Sequence, residues 1–155
     1  MTGSFDDLSR LDEELRDVER RVRHRIDPGA AGLVTSVAVL VLIGAFLLPW
    51  VGSVAGWEVL AGAPSLGSLP RLFTFTALGF GVFGSALALS TRLWALAWVC
   101  AVGCGISVVT GVWAIWSRQV TIPEGGTGPG IGLILATLAV VVLAGSWSRI
   151  ALARR

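Results

Sequence analysis

The sequence contains no lysine, no asparagine and no tyrosine, a single histidine (His24), one methionine and two cysteines. Charged residues fill only 14% of its 155 positions, against roughly 25% in an ordinary soluble domain. Each shortage excludes something. With no lysine and one histidine, most routes to nucleophilic or acid–base chemistry are closed. Two cysteines do not make a disulfide scaffold. So little charge cannot cover a soluble globule, and so much apolar content does not suit a disordered chain. A net charge of +2 is too mild to argue for nucleic acid.

What is present is apolar: hydrophobic residues make up 54% and the mean hydropathy is +0.79. The charge is also crowded. Fourteen of the 22 charged side chains lie in the first 27 positions. Between Ala31 and Trp147 only Glu58, Arg71, Arg92, Arg118 and Glu124 are charged. Four uncharged apolar stretches, at about 31–49, 72–90, 93–116 and 130–147, each reach the roughly 17–25 residues a membrane helix needs. The pattern predicts an all-α integral membrane protein. Its four transmembrane helices form an antiparallel bundle, preceded by an N-terminal cytoplasmic amphipathic helix. The domains are then 1–30, a charged helix and linker; 31–147, the transmembrane domain; and 148–155, a short basic tail. The turn at Thr91-Arg92 is so short that the second and third spans must be antiparallel neighbours. The first span reads as permanent, because residues 1–30 are too long and too acidic for the start of a signal peptide.

Arginine placement sets the orientation. With the N-terminus inside, ten arginines are cytoplasmic and only Arg71 and Arg118 are outside, which satisfies the positive-inside rule. Both termini are therefore expected in the cytoplasm and the chain in the plasma membrane. All seven tryptophans then fall near span ends and read as an aromatic belt.

Residues 4–26 read as a helix. Leu8, Leu11, Leu15, Val18 and Val22 recur at alternating spacings of three and four and line one face. Asp6/Arg10, Asp12/Arg16, Asp17/Arg21 and Glu19/Arg23 are acid-first pairs four apart, each adding about 0.2–0.5 kcal/mol to the helix. Asp27-Pro28-Gly29 ends it. Three roles compete for the apolar face: docking a protein partner or a second copy, lying on the inner leaflet, or folding back on the bundle. Seven acids between Asp6 and Glu19 oppose anionic lipid, which favours docking. Arg20, Arg21, Arg23 and Arg25 sit beside the first span and suit inner-leaflet phosphates.

The remaining signals are small. Cys100 and Cys104 lie one helical turn apart without histidine or carboxylate nearby. They support no four-ligand metal site and fit a disulfide poorly. They read as small packing residues. Ala77, Gly81 and Ser85, and Gly103, Ser107 and Gly111, form small-residue faces for close helix packing. No ionisable group lies in a span core, which counts against ion-coupled transport. The outer charges Glu58, Arg71, Arg118 and Glu124 suit pairing across loops. No catalytic, cofactor or metal residue is identified.

The run from Asp6-Asp7-Leu8 to Arg25-Ile26, then Asp27-Pro28-Gly29, Leu48-Pro49-Trp50 and Gly56-Trp57-Glu58-Val59-Leu60, resembles uncharacterised small multi-pass membrane proteins of mycobacteria and related actinobacteria. The resemblance implies a lineage and a membrane location and carries no activity. The expected function is a non-enzymatic accessory or scaffold subunit of a cell-envelope complex, docked through its N-terminal helix. The alternatives are a small transporter or channel for an uncharged or lipidic solute, or a membrane stress sensor. The expected partners are membrane lipid and a protein or a second copy, with no nucleic acid, no cofactor and no identified small-molecule substrate.

Overall fold

The computed structural model describes residues 8–16, 29–62, 67–120 and 127–153. Helix α1 (8–16) is exposed along its whole length. The bundle consists of α2 (Gly29–Leu47), α4 (Ser68–Thr91), α5 (Trp94–Val120) and α6 (Ile131–Leu152). Between α2 and α4 lie strands β1 (Pro49–Val51) and β2 (Val54–Ala55) and the one-turn helix α3 (Gly56–Leu60). Each of the four long helices is long and apolar enough to cross a membrane, by length and composition.

Helix α6 packs against α2 on one side and α5 on the other, and α4 packs against α5. The middle of α4 also touches α2, which closes the ring. Close approach depends on missing side chains. A Cβ on Gly81 would lie 2.8 Å from Leu42, one on Gly111 2.9 Å from Phe73, and one on Gly103 inside the Phe80 ring. The chain between Ala77 and Gly84 winds as a π-helix. Its glycines 79, 81 and 84 carry no Cβ to resist the wider turn.

At one end of the bundle the chain turns from α4 into α5 at Arg92. Its φ of +53° is the only positive value at a non-glycine position among the described residues. The Arg92 amide donates to the Ala88 carbonyl at 2.8 Å, a left-handed helix end more often built with glycine. Trp94 donates its indole N–H to the Ala151 carbonyl at 3.2 Å, which ties the start of α5 to the end of α6.

The other end is closed by the hairpin. Gly52, at φ +59°, turns β1 back onto β2. The Gly130 amide donates to the Trp50 carbonyl at 2.6 Å, joining the entry of α6 to the hairpin. The indole of Trp50 is wholly buried and donates to the Ala45 carbonyl at 2.8 Å. Phe46 and Phe73 flank it, with ring centroids at 5.0 and 5.6 Å.

The reading of every tryptophan as part of an outward belt fails at two positions. Trp50 is 0% and Trp147 only 2% exposed. Both indoles hold internal hydrogen bonds, so burial leaves no orphaned N–H. The segment between the first two apolar stretches forms β1, β2 and α3.

Candidate functional site

The bundle interior carries seven buried hydroxyls, on Thr35, Thr74, Ser85, Ser107, Thr110, Thr137 and Ser146. Most return to their own helix. Thr35 donates to Ala31, Thr74 to Pro70, Ser107 to Gly103 and Thr137 to Leu133, at 2.7 to 3.0 Å. Two contacts cross between helices: Trp147 donates to the Ser85 hydroxyl at 2.9 Å, and Thr76 meets Thr110 at 3.5 Å. No buried side-chain polar atom among the described residues lacks a partner. The interior is packed and hydrogen-bonded, and none of its polar atoms is left over to bind a ligand.

Cys100 and Cys104 are free thiols, both fully buried on the inner face of α5. Among the described residues no three histidine, cysteine or carboxylate side chains gather where they could hold a metal.

The small residues marked for packing line the helix contacts. Ala77, Gly81 and Ser85 on α4, and Gly103, Ser107 and Gly111 on α5, are all buried. Of the expected docking face, Leu8, Leu11 and Leu15 lie exposed on α1. Val18 and Val22 fall outside the described residues, as do Arg20, Arg21, Arg23 and Arg25. Of the four acid–arginine pairs, Asp12–Arg16 lies within the described residues and closes at 2.9 Å. The pairing expected across the loops differs at Glu58, whose carboxylate accepts from the Ala55 amide at 3.3 Å and so caps α3. Glu124 lies outside the described residues.

Two surfaces remain. Between α2 and α6 runs a groove of about 360 Å³ with a wholly apolar lining that includes Leu33, Val37, Val41, Leu135, Leu138 and Val142. At the end opposite the hairpin, Arg92 and Arg149 stand exposed. On α5, Trp98 is 39% exposed and edge-on to Trp94 at 6.1 Å. In the sequence Arg92 and Arg149 stand out only as two of the ten arginines that set the expected orientation. The signal that sets Arg92 apart is its backbone, which sequence spacing does not reveal.

The family model for the MiaB C-terminal domain matches residues 12–155. A tRNA-2-methylthio-N(6)-dimethylallyladenosine synthase of Mycobacterium avium (strain 104) is 49% identical over 152 residues, which is 95% of this chain. The chain spans only 21% of that relative's length. No solved structure matches.

These findings correct the sequence reading. The resemblance to uncharacterised multi-pass membrane proteins gives way to a different family. The integral-membrane class rested on length and apolarity, which state what a helix is able to cross and not where a chain resides. The family match replaces it with a MiaB C-terminal domain, here a helix bundle closed by a short hairpin. The plasma-membrane location, the cytoplasmic termini and the lipid partner rested on the same argument and fall with it.

The relative bears the name of an enzyme of tRNA. That name overturns the non-enzymatic scaffold docked by its N-terminal helix, together with the transporter, channel and stress-sensor alternatives. It equally overturns the expected absence of nucleic acid. The physical reason for these errors is plain. Most of the relative lies outside the matched fifth, and groups located there leave no trace in this sequence. The chain belongs to the MiaB C-terminal domain family.

Proposed function

We propose that the chain serves the modification its relative is named for, the making of 2-methylthio-N6-dimethylallyladenosine in tRNA, as the C-terminal domain of that enzyme. The observation that carries this reading is the match over residues 12–155, together with 49% identity across nearly the whole chain.

A division of labour goes with it. Attaching sulfur to an adenine carbon needs reactive sulfur and redox-active groups. The two thiols here are shut inside a helix bundle, without a third ligand among the described residues. We assign the bond-making steps to the four-fifths of the relative that this chain does not span, and holding the tRNA to this domain.

The test is the nucleoside content of cellular tRNA. Removing the chain should lower 2-methylthio-N6-dimethylallyladenosine, and restoring it should bring the nucleoside back. An unchanged nucleoside profile after removal overturns the reading.

A further inference from the structure

Two open apolar surfaces lie on the same chain. The first is the row Leu8, Leu11 and Leu15 on α1, each more than half exposed. The second is the groove between α2 and α6. Leu33, Val37 and Val41 form one wall, and Leu135, Leu138 and Val142 the other. Apolar surface of this kind gains from being covered.

The two match in pattern and length. Positions i, i+3 and i+7 are those by which an amphipathic helix anchors in an apolar groove, and the three leucines hold them. At 1.5 Å per residue the row is about 10 Å long, and the groove from Leu33 to Val41 about 12 Å. At 3.6 residues per turn Asp12 and Glu14 flank the row and Glu13 lies on the opposite face. A groove with no polar lining can thus take the leucines while the acids stay at its rim or in water. Asp12 already has a partner, Arg16, at 2.9 Å.

The connection selects this helix. Residues 17–28 join α1 to α2, and a stretch of that length spans up to about 40 Å. Leu33 is only about 6 Å along α2 from Gly29. Gly29 follows Pro28 and has φ +39°, a conformation that suits a sharp change of direction. A short tether offers its helix to the groove at an effective concentration on the order of millimolar. Charge agrees. Residues 6–19 hold seven acids and two arginines, whereas after Glu124 the charged residues are Arg149, Arg154 and Arg155. The bond from Gly130 to Trp50 sets α6 antiparallel to α2, so Arg149 returns to the end at which α2 starts.

We propose that α1 closes as a strap over the groove between α2 and α6, burying Leu8, Leu11 and Leu15. The strap holds whether or not the chain works on tRNA.

The experiment is cross-linking of the full chain in cells with a short bis-maleimide, followed by digestion and mass spectrometry. One cysteine replaces Glu14 beside the leucine row and another replaces Val37 in the groove. Both positions are exposed, so the packed interior is untouched, and Cys100 and Cys104 are buried away from the reagent. Glu14→Cys and Val37→Cys should join within one chain. Glu14→Cys with Val109→Cys, at an exposed position on α5, should join far less. Adding Leu8→Asp and Leu15→Asp to the first pair should cut its joining by about ten-fold or more.

No joining of the first pair overturns the proposal, as does equal joining of the two pairs. Joining that ignores the aspartates overturns it too. A link between two chains, seen as a product of twice the chain's mass, overturns it in favour of a second copy in the groove.

Discussion

Trp147 donates its indole N–H to the hydroxyl of Ser85 across 2.9 Å, joining α6 to α4 inside the bundle. Ser85 is itself fully buried, so water cannot replace it. Ser85→Ala strands the indole N–H and should destabilise the fold by about 1–3 kcal/mol. Trp147→Phe removes the donor as well as some packing. The double variant should be more stable than the sum of the single changes predicts, by about 0.5–3 kcal/mol. Thermal unfolding followed by circular dichroism measures all three, and strict additivity would contradict the bond.

A second prediction concerns glycine. A Cβ on Gly132 would lie 2.8 Å from Trp50 Cδ1, and one on Gly56 would enter the same indole. Trp50 has no room to move, being buried and bonded to Ala45. Gly132→Ala and Gly56→Ala should each destabilise by about 1–3 kcal/mol. Gly145 on α6 faces open space, so Gly145→Ala should be neutral or stabilise by up to about 1 kcal/mol. The same melting experiment separates the two outcomes.

The cysteines give a third prediction. Both thiols are fully buried among helices. A maleimide should label neither in the folded chain and both after denaturation, read by mass spectrometry. Rapid native labelling would show that α5 is not packed as described.

The outer surface gives a fourth. Leu33, Leu40, Leu47, Phe83, Ile131 and Leu152 are all strongly exposed. A surface this apolar associates in water. The isolated chain should scatter light as large aggregates in plain buffer and disperse in mild detergent. A monodisperse monomer without detergent would contradict the exposure pattern.

Where helices form was easy to see in the sequence, because long uncharged runs of Val, Ile, Leu and Ala leave few other options. Where their ends lie was harder. Helix α2 starts at Gly29 and α6 runs on to Leu152, past the serines and the arginine at 149. The hairpin at 49–55 was not legible, since Pro-Trp-Val-Gly-Ser-Val-Ala has neither length nor alternation. The burial of Trp50 had a signal only in hindsight. Gly56, Gly130 and Gly132 clear the space around it, yet three among 20 glycines mean little.

The function was not legible for a different reason. Composition reports the surroundings a surface suits, and here it was made to stand for an address and a role. No residue of this chain spells out tRNA chemistry. The link enters through a relative of whose length the chain spans about a fifth. Arg92 shows the same limit on a small scale, since its left-handed backbone cannot be read from the letters Thr-Arg-Leu.

The central claim is that this domain serves tRNA modification. The most direct measurement is the ratio of 2-methylthio-N6-dimethylallyladenosine to N6-dimethylallyladenosine in digested cellular tRNA. It should be taken with the chain present, removed and restored. The account predicts that the ratio falls on removal and recovers on restoration. A ratio that stays constant through all three states would contradict it.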